Sequence, residues 1–284
     1  MFSPLYGLLL VLELIKEYYI TSMAIEYIPR KSLGQHWLND ELSLEAMCIA
    51  ADVQSEDKIL EIGPGLGNLT KLLVARASQV IAVEFDRALA ESLPRRVTAK
   101  NLTVIESDIL RFDFTSVPSD YKIVANIPYY LTSNLVRVIS ETTNRPKLVA
   151  LLVQKEVAER IAAKPGKMSL LSVSAQFYWD VRLHDVVPAE LFTPPPKVDS
   201  QIVSFTRRTA PLFASVDEKQ FFRLVKAGYS SRRKTLLNAL SGGLVTDKAS
   251  IEALLAKADI SPSLRAQNLS LDEWYRLYQA ANNT

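Results

Sequence analysis

The sequence predicts an α/β fold, a mainly parallel sheet with helices on both faces, followed by a small all-helical C-terminal domain. Three observations carry this. Between residues 58 and 163, apolar runs of strand length alternate with helix-like runs, the order that builds a parallel sheet. The first run ends in a glycine-rich turn, Gly63-Pro-Gly-Leu-Gly67. After Arg208 the apolar positions recur at helical spacing and no convincing strand remains. The 284 residues, 48% of them hydrophobic, suffice for one large domain and a small one and exclude wholesale disorder.

In order, the expected strands are Lys58 to Ile62, Gln79 to Glu84, Leu102 to Glu106, Lys122 to Ala125 and Leu148 to Gln154. Helix-like runs follow at Leu69 to Ala77, at Arg87 to Leu93 (stopped by Pro94), at Thr132 to Ser140 and at Lys155 to Ala163. Val181 to Val187 and Ser200 to Thr206 read as late strands forming an antiparallel edge. Asp217 to Tyr229, Arg232 to Leu240, Lys248 to Ala256 and Leu271 to Ala281 read as the C-terminal helices. The expected division is an N-terminal extension at 1–24, the sheet domain at 25–209 and the helical domain at 210–284.

Residues 1–22 hold one apolar run, Leu5 to Leu12, closed by Glu13. It is too short to span a bilayer and lacks the basic start and small-residue cleavage site of a secretory signal. The expectation is that the biological start is Met23, the alternative being an extra amphipathic helix, and that no membrane is involved. One cysteine, Cys48, allows no intrachain disulfide, which fits a reducing cytosol. With only two histidines beside it there is no basis for a structural zinc site, and no metal is expected. The net charge of +2 says little about partners.

Three strand ends carry candidate chemistry. Glu61-Ile-Gly-Pro-Gly-Leu-Gly67 follows a strand and opens a helix, where glycines let the backbone approach a ligand. The spacing is neither that of dinucleotide sites nor that of a P-loop, and alone the motif is equally a tight turn. Glu84 ends the next strand, where a carboxylate accepts the ribose hydroxyls of a nucleoside. Asp108, after the third, suits an adenine amino group or a helix N-cap. Together they point to an adenosyl ligand, without separating S-adenosylmethionine from a dinucleotide.

Asn126-Ile-Pro-Tyr-Tyr130 ends the fourth strand beside the same crevice. An exocyclic aromatic amine is a poor nucleophile, because its lone pair is delocalised into the ring. Acceptors aimed at its hydrogens favour the pyramidal nitrogen on which charge develops. The Asn126 side-chain oxygen and the Ile127 carbonyl are candidate acceptors, Pro128 stiffens the turn, and Tyr129 is placed to stack on the base. Tyr130 reads as packing. A proline turn with two core tyrosines is the plain alternative.

With these residues in view, the chain resembles the rRNA adenine N6,N6-dimethyltransferases, and within them the small-subunit group. The matching segments are Lys31-Ser-Leu-Gly-Gln-His-Trp-Leu38, EIGPGLG, VEFD, SDIL, NIPYY, LVQKEVAERI, Phe192-Thr-Pro-Pro-Pro-Lys-Val-Asp-Ser200 and Ser231-Arg-Arg-Lys-Thr-Leu-Leu-Asn-Ala-Leu240, in the expected order. The resemblance implies a Rossmann-like methyltransferase domain and contacts to S-adenosylmethionine at Gln35, His36, Leu38, Gly63, Gly65, Glu84, Asp108 and Asn126. Trp37 stands where the family usually has Phe. Phe192 matches an aromatic that faces the target base opposite Tyr129, and from the sequence alone is equally a core residue. The implied reaction is double methylation of two adjacent adenosines near the 3′ end of 16S rRNA, by a cytoplasmic monomer acting on a pre-30S particle.

From Arg207 to Leu240, eight Lys and Arg face only Asp217 and Glu218, a net +6 that suits a phosphate backbone. A solvated helical face is the alternative. Arg223, Arg232, Arg233 and Lys234, with Arg30 and Lys31, are the RNA-binding candidates. Two rivals remain at this level. One is the related large-subunit dimethylase of macrolide resistance, and the other is a non-enzymatic nucleic-acid-binding factor on the same fold.

Overall fold

A computed structural model describes residues 34–282; the N-terminal extension, Arg30 and Lys31 lie outside the described residues. Seven strands form the main sheet: β2 (Lys58–Ile62), β3 (Gln79–Glu84), β4 (Leu102–Glu106), β5 (Lys122–Asn126), β6 (Leu148–Gln154), β7 (Trp179–Val187) and β9 (Ser200–Arg207). Their order is β4-β3-β2-β5-β6-β9-β7, parallel from β4 to β6, with β9 antiparallel to both of its neighbours. The parallel strands β2, β3, β5 and β6 are buried on both faces, which is why they read as nearly continuous apolar runs, whereas β4 at the edge is partly exposed. Along β5, Ile123 and Ala125 enter one core cluster and Val124 the other. The chain first runs outward from β2 to β4, then returns to β5 on the other side of β2. That reversal opens a crevice at the carboxyl ends of β2 and β5.

The late strands are antiparallel as expected, although β9 lies inside the sheet and, of the two, only β7 is an edge strand. Two helices were not anticipated, α1 (Glu41–Ala50) and α6 (Leu170–Tyr178). Nor was the two-stranded ladder between β1 (Trp37–Leu38) and β8 (Phe192–Thr193). Helices α2 (Asn68–Arg76), α4 (Thr132–Glu141) and α5 (Lys155–Ile161) lie close to where the sequence placed them.

Pro94 does not stop α3, which runs Arg87–Arg96. Only one helical hydrogen bond is lost so near the end. Continuing the turn buries Leu93 and Val97 together against Ala82, and that burial outweighs the loss.

The four C-terminal helices are α7 (Glu218–Gly228), α8 (Leu236–Leu244), α9 (Lys248–Lys257) and α10 (Leu271–Asn282). The second begins at Leu236, not Arg232. Three adjacent cations, Arg232 to Lys234, would oppose a helix N-terminus, and they occupy an exposed turn instead. Trp274, Phe221, Leu236 and Leu255 centre a core that also takes Val173 and Phe177 from α6. The Tyr178 hydroxyl donates to Glu218 Oε2 at 2.7 Å, tying the sheet unit to α7.

Helices α7 and α8 touch through Gly243, where a Cβ would lie 2.7 Å from the Ala227 Cα and 2.9 Å from its carbonyl oxygen. Those are backbone atoms and cannot swing aside. Gly243→Ala is therefore expected to destabilise by about 1–3 kcal/mol through overpacking, against roughly 1 kcal/mol regained in helix propensity. A lower thermal midpoint checks this.

Candidate active site

The carboxyl ends of β2 to β5 open into one cavity of about 260 Å³, which residues 34–38 also line. The structure brings Gln35, His36, Leu38, Gly63, Gly65, Glu84, Asp108, Asn126 and Tyr129 together on its wall. It does not bring Phe192 there. That side chain is 3% exposed and packs in the core cluster with Leu38 and Val187, while its backbone pairs with Leu38.

The glycine turn follows from its backbone. Gly63, Gly65 and Gly67 have φ of +66°, +56° and +86°, which side chains disfavour. A Cβ at Gly63 would meet no atom within 4 Å, so the turn leaves open space there. At Gly67 it would come within 2.8 Å of Leu93 and Val97. Glu84 holds this turn: Gly65 N–H donates to its Oε2 at 3.1 Å and Asp86 N–H to its Oε1 at 2.9 Å. Burial raises the Glu84 pKa, and the two amide donors oppose the rise. Each oxygen keeps a lone pair for a further donor. Asp108 caps a single 3₁₀ turn, accepting from Leu110 N–H at 3.0 Å, while still lining the cavity.

Asn126 is the last residue of β5, in register with Leu152. Its Nδ2 donates to the His36 carbonyl at 3.3 Å, which leaves Oδ1 as the acceptor for a donor from elsewhere. His36 Nδ1–H donates to the Pro194 carbonyl at 2.7 Å, since a carbonyl only accepts. Its ring stacks on Tyr129, with centroids 5.9 Å apart. The Tyr129 hydroxyl shares a 2.7 Å hydrogen bond with Ser200 Oγ. Residues 34–38, the NIPYY turn and the FTPPP segment are thus joined through His36.

Sequence reasoning passed over Glu61, which is 1% exposed, lines the cavity and has no partner for Oε2 among the described residues. Burial pushes its carboxyl up to about 8, the nearby Thr70 hydroxyl opposing this and Glu84 adding to it. The signal was present: a glutamate inside the apolar run KILEI is itself an anomaly. Trp37, which stands where the family usually has Phe, sets its indole edge 3.4 Å from where a Gly65 Cβ would be. A buried carboxyl with one unpartnered oxygen beside an open glycine turn suits a cationic ligand.

Of the basic candidates, Arg223, Arg232, Arg233 and Lys234 are exposed. Arg207 and Arg208 are already paired, with Asp120 at 2.6 Å and Asp180 at 2.5 Å, so they drop out of the net +6. Among the described residues no group of three or more His, Cys, Asp or Glu is placed to hold a metal ion. None of the described helices is long and apolar enough to cross a membrane.

Strand order, the place of the crevice and the turn that closes it define a Rossmann-like methyltransferase. A family model described as ribosomal RNA adenine dimethylase matches residues 28–283. A ribosomal RNA small subunit methyltransferase A from Dehalococcoides mccartyi is 45% identical over 252 residues, covering 87% of each chain. One from Shouchella clausii is 39% identical over 267 residues, covering 90% of each. Among solved structures, a dimethyladenosine transferase from Plasmodium falciparum superposes with a TM-score of 0.75 at 26% identity, over 87% of this chain and 97% of that one. The 23S rRNA methyltransferase ErmE gives 0.71 at 27%, over 87% and 99%. The chain belongs to the ribosomal RNA adenine dimethylase family.

Proposed function

We propose that this protein dimethylates N6 of two adjacent adenosines near the 3′ end of 16S rRNA, with S-adenosylmethionine as donor. The observation that carries this is the single cavity in which Glu84 and Asp108 stand beside Asn126 and Tyr129. S-adenosylmethionine, when bound, supplies an activated methyl group. Glu84 and Asp108 accept from its nucleoside, the glycine turn admits it, and Glu61 favours its positive charge. Asn126 Oδ1 and the Ile127 carbonyl hold the target amine so that its lone pair turns toward attack. Tyr129 stacks on the extruded base. Phe192, packed beneath Leu38, supports this wall rather than contacting the base in the described state.

In this reading residues 25–209 form the catalytic domain and 210–284 the RNA-positioning domain. Arg223, Arg232, Arg233 and Lys234 lie along the phosphate backbone, joined by Arg30 and Lys31. The protein works in the cytoplasm, as a monomer, on a pre-30S particle during small-subunit assembly.

The test is methyl transfer from labelled S-adenosylmethionine to small ribosomal subunits lacking the modification, with large subunits in parallel. Label recovered as dimethyladenosine on small subunits supports the reading. Label on large subunits moves the protein to the group of the 23S enzyme. RNA binding with no transfer to either makes it a binding factor.

A further inference from the structure

The two tyrosines of the NIPYY turn are held in opposite ways. Tyr129 is fixed on three sides: its hydroxyl by Ser200, its ring by His36, and its carbonyl by the Thr132 hydroxyl at 2.9 Å. Tyr130 belongs to none of the buried clusters. Its ring leans on Gly34, where a Cβ would lie 3.5 Å from Tyr130 Cδ1, and it remains 61% exposed. Both tyrosines line the same cavity. A large aromatic left this bare on the wall of the cavity offers its ring face to a ligand base. Phe85, 62% exposed, is similarly bare, but it follows Glu84 and so stands at the nucleoside side of the cavity.

We propose that Tyr130 is the stacking platform for the nucleotide flanking the adenosine held at Tyr129. This rests on the reading under Proposed function. Drawing a base out of its stack strips its neighbour of a stacking partner. An exposed phenol ring, next along the chain from the ring that takes the target, replaces that partner on single-stranded RNA. With two adjacent adenosines as substrate, the flanking base is itself a purine in at least one of the two rounds. The turn thus holds two consecutive bases with two consecutive tyrosines, one pinned for catalysis and one free to seat its neighbour.

The test is steady-state methylation of unmodified small ribosomal subunits by Tyr130→Ala, Tyr130→Leu and Tyr130→Phe. Tyr130→Ala is expected to raise KM for the subunit by about tenfold or more, with kcat changed by less than about threefold and S-adenosylmethionine binding unchanged. Tyr130→Leu, apolar but without an aromatic face, behaves like Tyr130→Ala. Tyr130→Phe keeps the wild-type KM. An unchanged KM in Tyr130→Ala overturns the platform, as does a wild-type Tyr130→Leu, which would leave only bulk. A defective Tyr130→Phe would make the hydroxyl the contact and overturn stacking. A lowered thermal midpoint in Tyr130→Ala would place the ring in the fold and count against the proposal too. The wild-type protein run alongside separates the two levels. If it transfers no methyl group to small subunits, the functional reading fails; if it does while Tyr130→Ala keeps the wild-type KM, only the platform fails.

Discussion

Asn126→Ala is expected to slow methyl transfer by about 100- to 1,000-fold, the size of effect seen when one preorganised partner of a developing charge is removed. S-adenosylmethionine binding should weaken by less than about tenfold, because Glu84, Asp108 and the glycine turn remain. The asymmetry follows from where Asn126 is held. Its Nδ2 is committed to the His36 carbonyl, so Oδ1 has a fixed direction before any substrate arrives. An acceptor that need not reorganise stabilises the pyramidal amine more than the planar one, and so acts on kcat. Asn126→Asp keeps an acceptor but sets a carboxylate against the His36 carbonyl, and should recover little. Single-turnover rates with saturating small subunits measure this directly. An Asn126→Ala rate within threefold of wild type would remove Asn126 from the chemistry.

Much of the fold was legible because its central strands are buried on both faces. KILEI, QVIAVE and LVALLVQ can only be read as interior strands between helices, and the turn glycines separate strand from helix. What escaped has a common physical cause. The β1–β8 ladder is two residues long and joins segments more than 150 positions apart, so no local period announces it. Helix α6 is nine residues of LLSVSAQFY, an apolar run whose helical state is set by its Ser169–Ser172 capping box and by its place between two cores. Pro94 misled because a local rule lost to the packing of Leu93 and Val97.

The site was legible where a residue's type is unusual for its position. A carboxylate at a strand end and an amide two residues before a proline are such cases, and both line the cavity. Phe192 was not legible, because an aromatic suits a base-facing rim and a core equally, and only burial decides between them. The basic stretch was half legible: charge counts in the sequence include Arg207 and Arg208, whose partners Asp120 and Asp180 lie far away along the chain.

Glu61→Gln is expected to weaken S-adenosylmethionine binding by about 10- to 100-fold, the worth of a hydrogen-bonded buried charge, and to erase its pH dependence. The folded protein holds the Glu61 proton up to about pH 8, whereas the unfolded chain releases it near 4.5. The ligand-free protein therefore binds the extra proton between those values, and its stability falls as pH rises across that window, levelling off above about 8. A cationic ligand favours the carboxylate, so binding should expel the proton and tighten with pH over the upper part of the same window. Glutamine keeps the shape and cannot ionise. Without ligand, Glu61→Gln should then be more stable than wild type at pH 8 and lose less stability between pH 5 and 8; with ligand, its affinity should be flat. Calorimetric titration in two buffers of different ionisation enthalpy reads the released proton, and thermal unfolding without ligand reads the stability. If wild type and variant bind with the same pH slope, Glu61 stays protonated in the complex and the positive charge of the donor is met elsewhere. The expected pattern is therefore a ligand-free protein that loses stability toward pH 8 through Glu61, and a complex in which the charge of the donor offsets that loss.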